Sequence, residues 1–91
     1  MTTWKTLREE LNLTEDDEQV IALEKKLIKT MVQIREEKGL TQTQLAKICD
    51  IKQPIIARIE ASTHSPQVDS LLRILVPLGY TLQIVPIQKL S

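Results

Sequence analysis

The 91-residue chain contains few of the residues that aromatic cores, disulfides and glycine-rich loops require. Trp4 and Tyr80 are its only aromatic residues, so we expect an aliphatic core of the kind found in a compact helical bundle. The single cysteine, Cys49, fits a reducing compartment and is expected to fill buried space rather than to react. Two glycines, Gly39 and Gly79, are too few for a glycine-rich phosphate loop.

Metal ligands and catalytic groupings are equally scarce. His64 is the only histidine, and no second soft ligand accompanies Cys49 to make a metal site. Residues 15–18 are acidic but lack the spacing and glycine of a calcium loop, so a helix N-terminus explains them better. For His64, which follows a predicted helix, we favour a solvated side chain over a pH-dependent phosphate contact. We therefore expect no enzymatic activity and no bound cofactor.

Long apolar runs are also missing. No stretch approaches the roughly 20 apolar residues of a membrane span, and the N-terminus lacks the basic and then apolar layout of a signal peptide. We therefore expect a cytoplasmic protein that does not enter a membrane. The length supports one small domain with an appendage, and dimerisation would help so small a chain.

The formal net charge is zero, which at first argues against a DNA-binding protein because phosphate neutralisation dominates affinity for DNA. The charge is unevenly distributed, however. Residues 1–24 carry two basic and seven acidic side chains, whereas residues 25–91 carry ten basic and five acidic ones. The pattern indicates an acidic arm joined to a basic domain.

Residues 40–60 predict two short helices joined by a tight turn, an arrangement that lets one helix lie in a DNA groove. Thr41 can cap the first helix, and Gln44 completes a capping box. This helix is expected to end at about Cys49. Asp50 then occupies the point where the chain reverses, because Asp tolerates the left-handed conformation of such a turn.

The second short helix has Pro54 in its first turn, where a missing amide leaves no hydrogen bond unmade. Ile56 and Ile59 point inward at i, i+3 spacing, and Ile51 is expected to fill the corner. The opposite side forms a short polar face whose guanidinium can pair with guanine or phosphate. Its members are Gln53, Pro54, Ala57 and Arg58.

Residues 28–79 resemble the Cro/repressor (XRE-type) helix-turn-helix domain. The resemblance rests on residues 34–42, Leu45-Ala46, Ile51, Gln53, Ile56, Arg58-Ile59-Glu60, Pro66, Leu71-Leu72 and Leu78-Gly79. It implies a mainly α, lambda repressor-like DNA-binding bundle of five to six helices.

The resemblance also implies roles for individual residues. Gln42 matches a phosphate contact at a helix N-terminus, and Gln53, Pro54 and Arg58 match positions that face base edges. Arg35 and Glu60 match a partly buried ion pair, which we assign to structure rather than to binding. The expected DNA contacts are Gln42, Gln44, Lys52, Gln53, Pro54, Ala57, Arg58 and Thr63.

Three residues depart from the family pattern. Asp50 stands where Gly is common, and Lys52 stands where Ser or Thr usually caps the recognition helix. Pro54 replaces a side chain that often forms hydrogen bonds, so it can offer only van der Waals contact, for instance to a thymine methyl. Base specificity is therefore expected to rest mainly on Gln53 and Arg58.

The segment before the motif predicts two further helical stretches. Trp4, Leu7 and Leu11 recur at the spacing of a short amphipathic helix. Thr14 is expected to cap a long helix that runs from about residue 15 to Lys38 and ends at Gly39. Its apolar stripes leave the first turns apolar over nearly half their circumference. Either the N-terminal helix folds back over this surface or another protein covers it. The stripes are Val20, Leu23, Leu27, Met31 and Ile34, and Ile21, Ile28 and Val32.

After the motif, a helix is predicted from about Val68, with Val68, Leu71, Leu72 and Leu75 inward and Pro77 and Gly79 at its end. Residues 80–87 then alternate and are rich in β-branched residues, which predicts a strand. No other segment predicts a strand, so it must pair outside the chain, most simply with its copy in a homodimer. The expected dimer contacts are Thr81, Leu82, Gln83, Ile84 and Val85.

The whole chain is similar to HigA-type antitoxins of bacterial toxin-antitoxin pairs, through the run 56–60, Ser65-Pro66 and Pro77-Leu78-Gly79-Tyr80-Thr81-Leu82. This similarity implies an antitoxin that holds a small, basic, RelE-like (HigB-type) mRNA-cleaving toxin and represses its own operon. An acidic, apolar-backed helix would complement a basic RNA-binding surface. We assign residues 1–24 to the partner, 25–79 to DNA and 80–91 to dimerisation. The expected toxin contacts are Trp4, Leu7, Glu9, Glu10, Leu11, Asp16, Asp17, Val20 and Ile21.

Two alternatives remain open from the sequence. A free-standing repressor would use the N-terminal arm only for packing or for contacts with other regulators. An interaction scaffold that no longer binds DNA would fit the zero net charge and Pro54.

Overall fold

The computed structural model describes residues 15–63 and 65–87. Its four helices are α1 (Glu15–Glu37), α2 (Gln42–Cys49), α3 (Gln53–Glu60) and α4 (Val68–Leu75). The mainly helical prediction is confirmed, but the described residues contain four helices and not the expected five to six. The helix predicted over Trp4, Leu7 and Leu11 lies outside them, as do Thr14, His64 and residues 88–91.

Helix α1 passes without a break through the boundary expected at residue 24. Acidic residues fill its first turn, where the helix dipole favours negative charge. At the other end, Gly39 has a φ of +70° and its amide donates to the Glu36 carbonyl at 2.9 Å. The Leu40 amide donates to the Arg35 carbonyl at 3.1 Å. The chain therefore turns toward α2 one residue before the predicted helix end.

The short helices α2 and α3 have the predicted residues at their ends. The Thr41 hydroxyl accepts from the Gln44 amide at 3.1 Å, and the Gln44 side-chain oxygen accepts from the Thr41 amide at 2.8 Å. Asp50 has a φ of +55° and ends α2 in the left-handed conformation. Pro54 lies in the first turn of α3, which has no side-chain cap at Lys52. Local sequence signals thus define both ends of α2.

The core where the helices meet is aliphatic, as expected. Burial raises the pKa of the Cys49 thiol, which donates to the Ile74 carbonyl at 3.8 Å. Such a thiol packs as a small apolar group. The buried apolar residues are Ile28, Met31, Leu45, Ala46, Cys49, Ile56, Ile59, Leu71, Ile74, Leu75 and Leu78.

Helix α4 corrects the predicted inward set. Ile74 is fully buried, whereas Val68 is 63% exposed and Leu72 is only half-buried. Helical periodicity places Val68 on the same face of α4 as Leu71. It does not show how far along α4 the rest of the protein covers that face. Val68 is the first residue of α4 and lies beyond the covered part.

The C-terminal segment, residues 81–87, is not a strand in the described chain. The prediction of a strand here is not supported, because among the described residues no backbone group of this segment forms a hydrogen bond with another backbone group. A strand exists only when a neighbour completes its ladder. Leu82 packs against the core, while Ile84, Val85 and Ile87 are exposed.

No helix within the described ranges is both long and apolar enough to cross a bilayer.

The burial difference in α4 predicts different stability effects for two truncations. We expect Ile74→Ala to lower the free energy of unfolding by about 2–5 kcal/mol, because it leaves a cavity in the core. The matched control Val68→Ala should change it by no more than about 0.5 kcal/mol. Urea unfolding followed by circular dichroism measures both. Equal losses would contradict the observed orientation of α4.

Candidate nucleic-acid interface

Helix α3 presents the side chains expected to read DNA. Pro54 and Arg58 are exposed, and Gln53 and Ala57 are half-buried beside them. Ile56 and Ile59 anchor the helix from the opposite side. The helix is thus held by its apolar side and leaves one polar side open.

Ile55 belongs to this exposed side, although the sequence analysis did not assign it. It is 40% exposed and lines a cavity of about 160 Å³ with Arg58, Pro66 and Ser70. Its spacing of three residues from Arg58 is the signal that would have placed it there. An exposed apolar side chain beside a guanidinium can contact a thymine methyl.

An ion pair joins the end of α3 to α1. Arg35 Nε donates to Glu60 Oε2 at 2.6 Å, and Arg35 Nη2 donates to Glu60 Oε1 at 2.9 Å. Arg35 Nη1 donates to the Leu40 carbonyl at 2.7 Å. The hydrogen bond to Glu60 is the main cause that raises the pKa of Arg35, against the lowering effect of burial. The ion pair that the resemblance implied is therefore present, and its assignment to structure rather than to binding stays a prediction.

The ion pair continues as a chain of hydrogen bonds into the polar side of α2 and α3. Gln42 Nε2 donates to Glu60 Oε1 at 2.9 Å, and Gln53 Nε2 donates to Gln42 Oε1 at 2.8 Å. Gln42, which the family resemblance implies is a phosphate contact, therefore also has two partners within the chain. We call Arg35, Glu60, Gln42 and Gln53 the glutamine relay.

The remaining expected DNA contacts lie around this relay. Gln44 is exposed, but its side-chain oxygen is engaged in the capping box. Lys52 is exposed and lines a cavity of about 470 Å³ between α2 and α3 together with Lys47, another exposed cation. Thr63 is exposed and donates to the Arg58 carbonyl at 3.3 Å.

The basic side chains on this side of the molecule are of two kinds, one paired within the chain and three exposed without an ion-pair partner among the described residues. Arg35 is neutralised internally by Glu60. Lys47, Lys52 and Arg58 are exposed and form no ion pair with another described residue. These three cations can neutralise phosphates without first breaking an internal contact.

The expected toxin contacts lie on the N-terminal half of α1. Val20 and Ile21 are exposed, as is Asp16, but Asp17 is only 5% exposed. Asp17 precedes Ile28 and Met31 by about three and four helical turns, which puts it on the buried side of α1. Asp17 is therefore buried in this structure, and its expected contact with a toxin stays a prediction. The other expected contacts, Trp4, Leu7, Glu9, Glu10 and Leu11, lie outside the described residues.

The C-terminal segment lies beside this part of α1. Together they line a groove of about 960 Å³, to which α1 contributes Gln19, Ala22, Leu23 and Lys26 and the segment contributes residues 83–87. Lys26, the groove residue of α1 nearest to Arg35 in the sequence, is roughly 14 Å from it along the axis of α1, at 1.5 Å per residue. The groove is therefore well separated from the glutamine relay. Of the expected dimer contacts, Leu82 is half-buried and Thr81, Gln83, Ile84 and Val85 are exposed.

Comparison with known proteins agrees with this architecture. The helix-turn-helix family matches residues 31–85. An uncharacterized HTH-type transcriptional regulator of Haemophilus influenzae is 47% identical over 62 residues, which are 68% of this chain and 63% of that protein. The match therefore spans less than two thirds of that relative's length.

A solved structure covers nearly the whole chain. It is a chain from a toxin-antitoxin module of Streptococcus pneumoniae, with 33% sequence identity and a TM-score of 0.69. The alignment covers 97% of this chain and 96% of that one. Because the family model matches residues 31–85 and α2 and α3 have the geometry of the motif, the chain belongs to the helix-turn-helix family.

Proposed function

We propose that this chain is a transcriptional repressor that binds operator DNA as a homodimer, and that it is also the antitoxin of a toxin-antitoxin pair. The observation that carries DNA binding is the exposed polar side of α3. There Gln53 is held by its hydrogen bond to Gln42, and the Arg58 side chain is exposed. A helix of this kind in a helix-turn-helix domain enters the major groove.

Other residues of the interface are positioned to contact the DNA backbone when α3 lies in the major groove. The N-terminus of α2 has unpaired backbone amides at the end where the helix dipole favours a phosphate. Lys47 and Lys52 lie exposed between α2 and α3 and can contact the backbone of the duplex. Backbone contacts position the protein, and Gln53 and Arg58 then read bases.

We expect Arg58→Ala to weaken binding to a duplex that covers the promoter of its own gene. The loss should be about 5- to 150-fold, or about 1–3 kcal/mol, if the guanidinium pairs with a base. The matched control is Arg73→Ala, an exposed arginine on α4. Fluorescence anisotropy at several salt concentrations separates a base contact from a phosphate contact, since only the latter lowers the salt dependence. Equal affinities for Arg58→Ala and the unsubstituted protein would remove Arg58 from the interface.

A homodimer is proposed because the C-terminal segment has an unpaired backbone and exposed apolar side chains. In an antiparallel pair with its own copy, the segment would form the ladder that a single chain lacks. Symmetric pairing would also position the two α3 helices to contact two DNA half-sites that are roughly one turn of the DNA helix apart.

Ile84 gives the sharpest test of the dimer, since it is fully exposed and its substitution does not disturb the core. We expect Ile84→Glu to convert the dimer into a monomer in light scattering, because it would bury a charge in the pairing surface. The matched control is Val76→Glu, which adds the same charge at an exposed apolar position outside the C-terminal segment. A dimer of unchanged dissociation constant in Ile84→Glu would rule out this interface.

The antitoxin role rests on two supports. One is the likeness of nearly the whole chain to a chain of a toxin-antitoxin module. The other is the apolar exposed surface of Val20, Ile21 and Leu23 on the acidic half of α1. The proposed partner is a small basic RNA-cleaving toxin of the RelE-like, HigB type, to which an acidic and apolar surface is complementary. Because this surface of α1 lies away from α3, a bound toxin would leave α3 accessible to DNA.

We expect the double variant Val20→Lys with Ile21→Lys to lose the toxin. In co-expression with the small basic protein encoded by the adjacent reading frame, the unsubstituted chain should co-purify with it and restore growth. The variant should do neither, because two cations replace the apolar contact with a basic partner. Val76→Lys, at the exposed apolar position directly after α4, is the control. Full neutralisation by the double variant would place the toxin elsewhere.

A free-standing repressor is the second candidate function. It is favoured by the Haemophilus influenzae relative, which is described only as a transcriptional regulator. Under this alternative no protein from the adjacent reading frame would co-purify with the unsubstituted chain, while promoter binding would be retained.

A further inference from the structure

We infer that the partly buried Arg35–Glu60 ion pair determines which base Gln53 selects, because it fixes the orientation of the Gln42 side chain and, through it, that of Gln53. The inference rests on the proposed DNA binding by α3. It makes Arg35 and Glu60 positioning residues, which influence DNA specificity although they do not face the groove.

The first step is set by the carboxylate of Glu60. An ionised carboxylate only accepts hydrogen bonds. Glu60 Oε1 lies 2.9 Å from Gln42 Nε2, so Gln42 must turn its NH₂ group toward Glu60. The opposite orientation would bring the Gln42 oxygen against a negative charge.

The second step passes this orientation to α3. With its NH₂ on Glu60, Gln42 can offer only its oxygen to Gln53, which donates from Nε2 at 2.8 Å. One N–H of Gln53 is therefore used within the chain. Its second N–H and its Oε1 remain for DNA, as one donor and one acceptor.

This remaining pair is complementary to adenine. In the major groove adenine presents an acceptor at N7 and a donor at N6, whereas guanine presents acceptors at both N7 and O6. A Gln53 held by the relay would oppose its oxygen to guanine O6. A reversed Gln53 would turn its NH₂ to the groove and accommodate guanine.

The ion pair is rigid enough to impose the orientation. The side chains of Arg35 and Glu60 are 12% and 7% exposed, so the carboxylate is largely shielded from water. The guanidinium makes two hydrogen bonds to Glu60 and a third to the Leu40 carbonyl. Glu60 therefore cannot rotate away from Gln42 without giving up a charge-assisted contact.

The test measures base preference and not affinity alone. Selection from a pool of randomised duplexes, followed by binding to adenine and guanine versions of the enriched site, gives the ratio of the two affinities. The unsubstituted chain should prefer adenine at one position of each half-site by about 5- to 150-fold. Glu60→Gln carries a donor as well as an acceptor, so its ratio should fall toward one. The control Glu36→Gln, an exposed glutamate of α1, should keep the original ratio.

A second variant covers the case in which Glu60→Gln does not fold, since it leaves Arg35 buried without its charge partner. Arg35→Met with Glu60→Met removes both charges and releases Gln42, so it should also lose the preference for adenine. A purely structural role for the ion pair would lower affinity for both bases equally.

The outcomes distinguish the role of the ion pair in base preference from DNA binding by α3. An unchanged adenine preference in the folded variants, or no such preference in the unsubstituted chain, overturns the relay and leaves DNA binding intact. Failure of the unsubstituted chain to bind any duplex overturns the proposed function itself, and the relay with it.

Discussion

The Arg35–Glu60 ion pair is the contact on which the arrangement of the DNA-binding helices depends. It links the end of α3 to α1 and, through the Leu40 carbonyl, to the chain that enters α2. Burying two charges carries a desolvation cost that only good geometry and further hydrogen bonds offset. Here the fork of the guanidinium meets both carboxylate oxygens, and Gln42 adds a further donor. The same contact that positions α3 thus extends to the side chains that would touch DNA.

A second constraint comes from the size and charge of the molecule. The chain has no net charge, and its α3 offers Arg58 as the one cation among the central reading positions. One copy would therefore gain limited affinity from phosphate neutralisation. Two copies double the contacts and fix their spacing, which a palindromic site can match. The proposed dimer would both pair the C-terminal segment and supply the second half-site.

Features encoded by neighbouring residues were predictable from the sequence. The capping box of Thr41 and Gln44, the left-handed Asp50 and the proline in the first turn of α3 each depend on a few adjacent positions. The Arg35–Glu60 pair was accessible only through the family resemblance, because its partners are 25 residues apart in the chain.

Features that depend on where elements end against one another were not predictable. The inward set of α4 was misjudged at Val68, since helical periodicity gives a face but not the extent of the covering surface. The partners of Gln42 were missed for a related reason. Only the close approach of α1, α2 and α3 brings Glu60 and Gln53 to its two ends. The C-terminal segment shows the limit most clearly, because strand formation there requires a ladder partner beyond the described chain.

In the proposed complex, a symmetric pair of α3 helices reads DNA. Hydroxyl-radical footprinting of the protein on the promoter region of its own gene tests this most directly. We predict two protected patches related by a two-fold axis, with centres roughly 34–36 Å apart along one face of the duplex. A single protected patch, or protection that extends without a centre of symmetry, would contradict symmetric binding by two α3 helices.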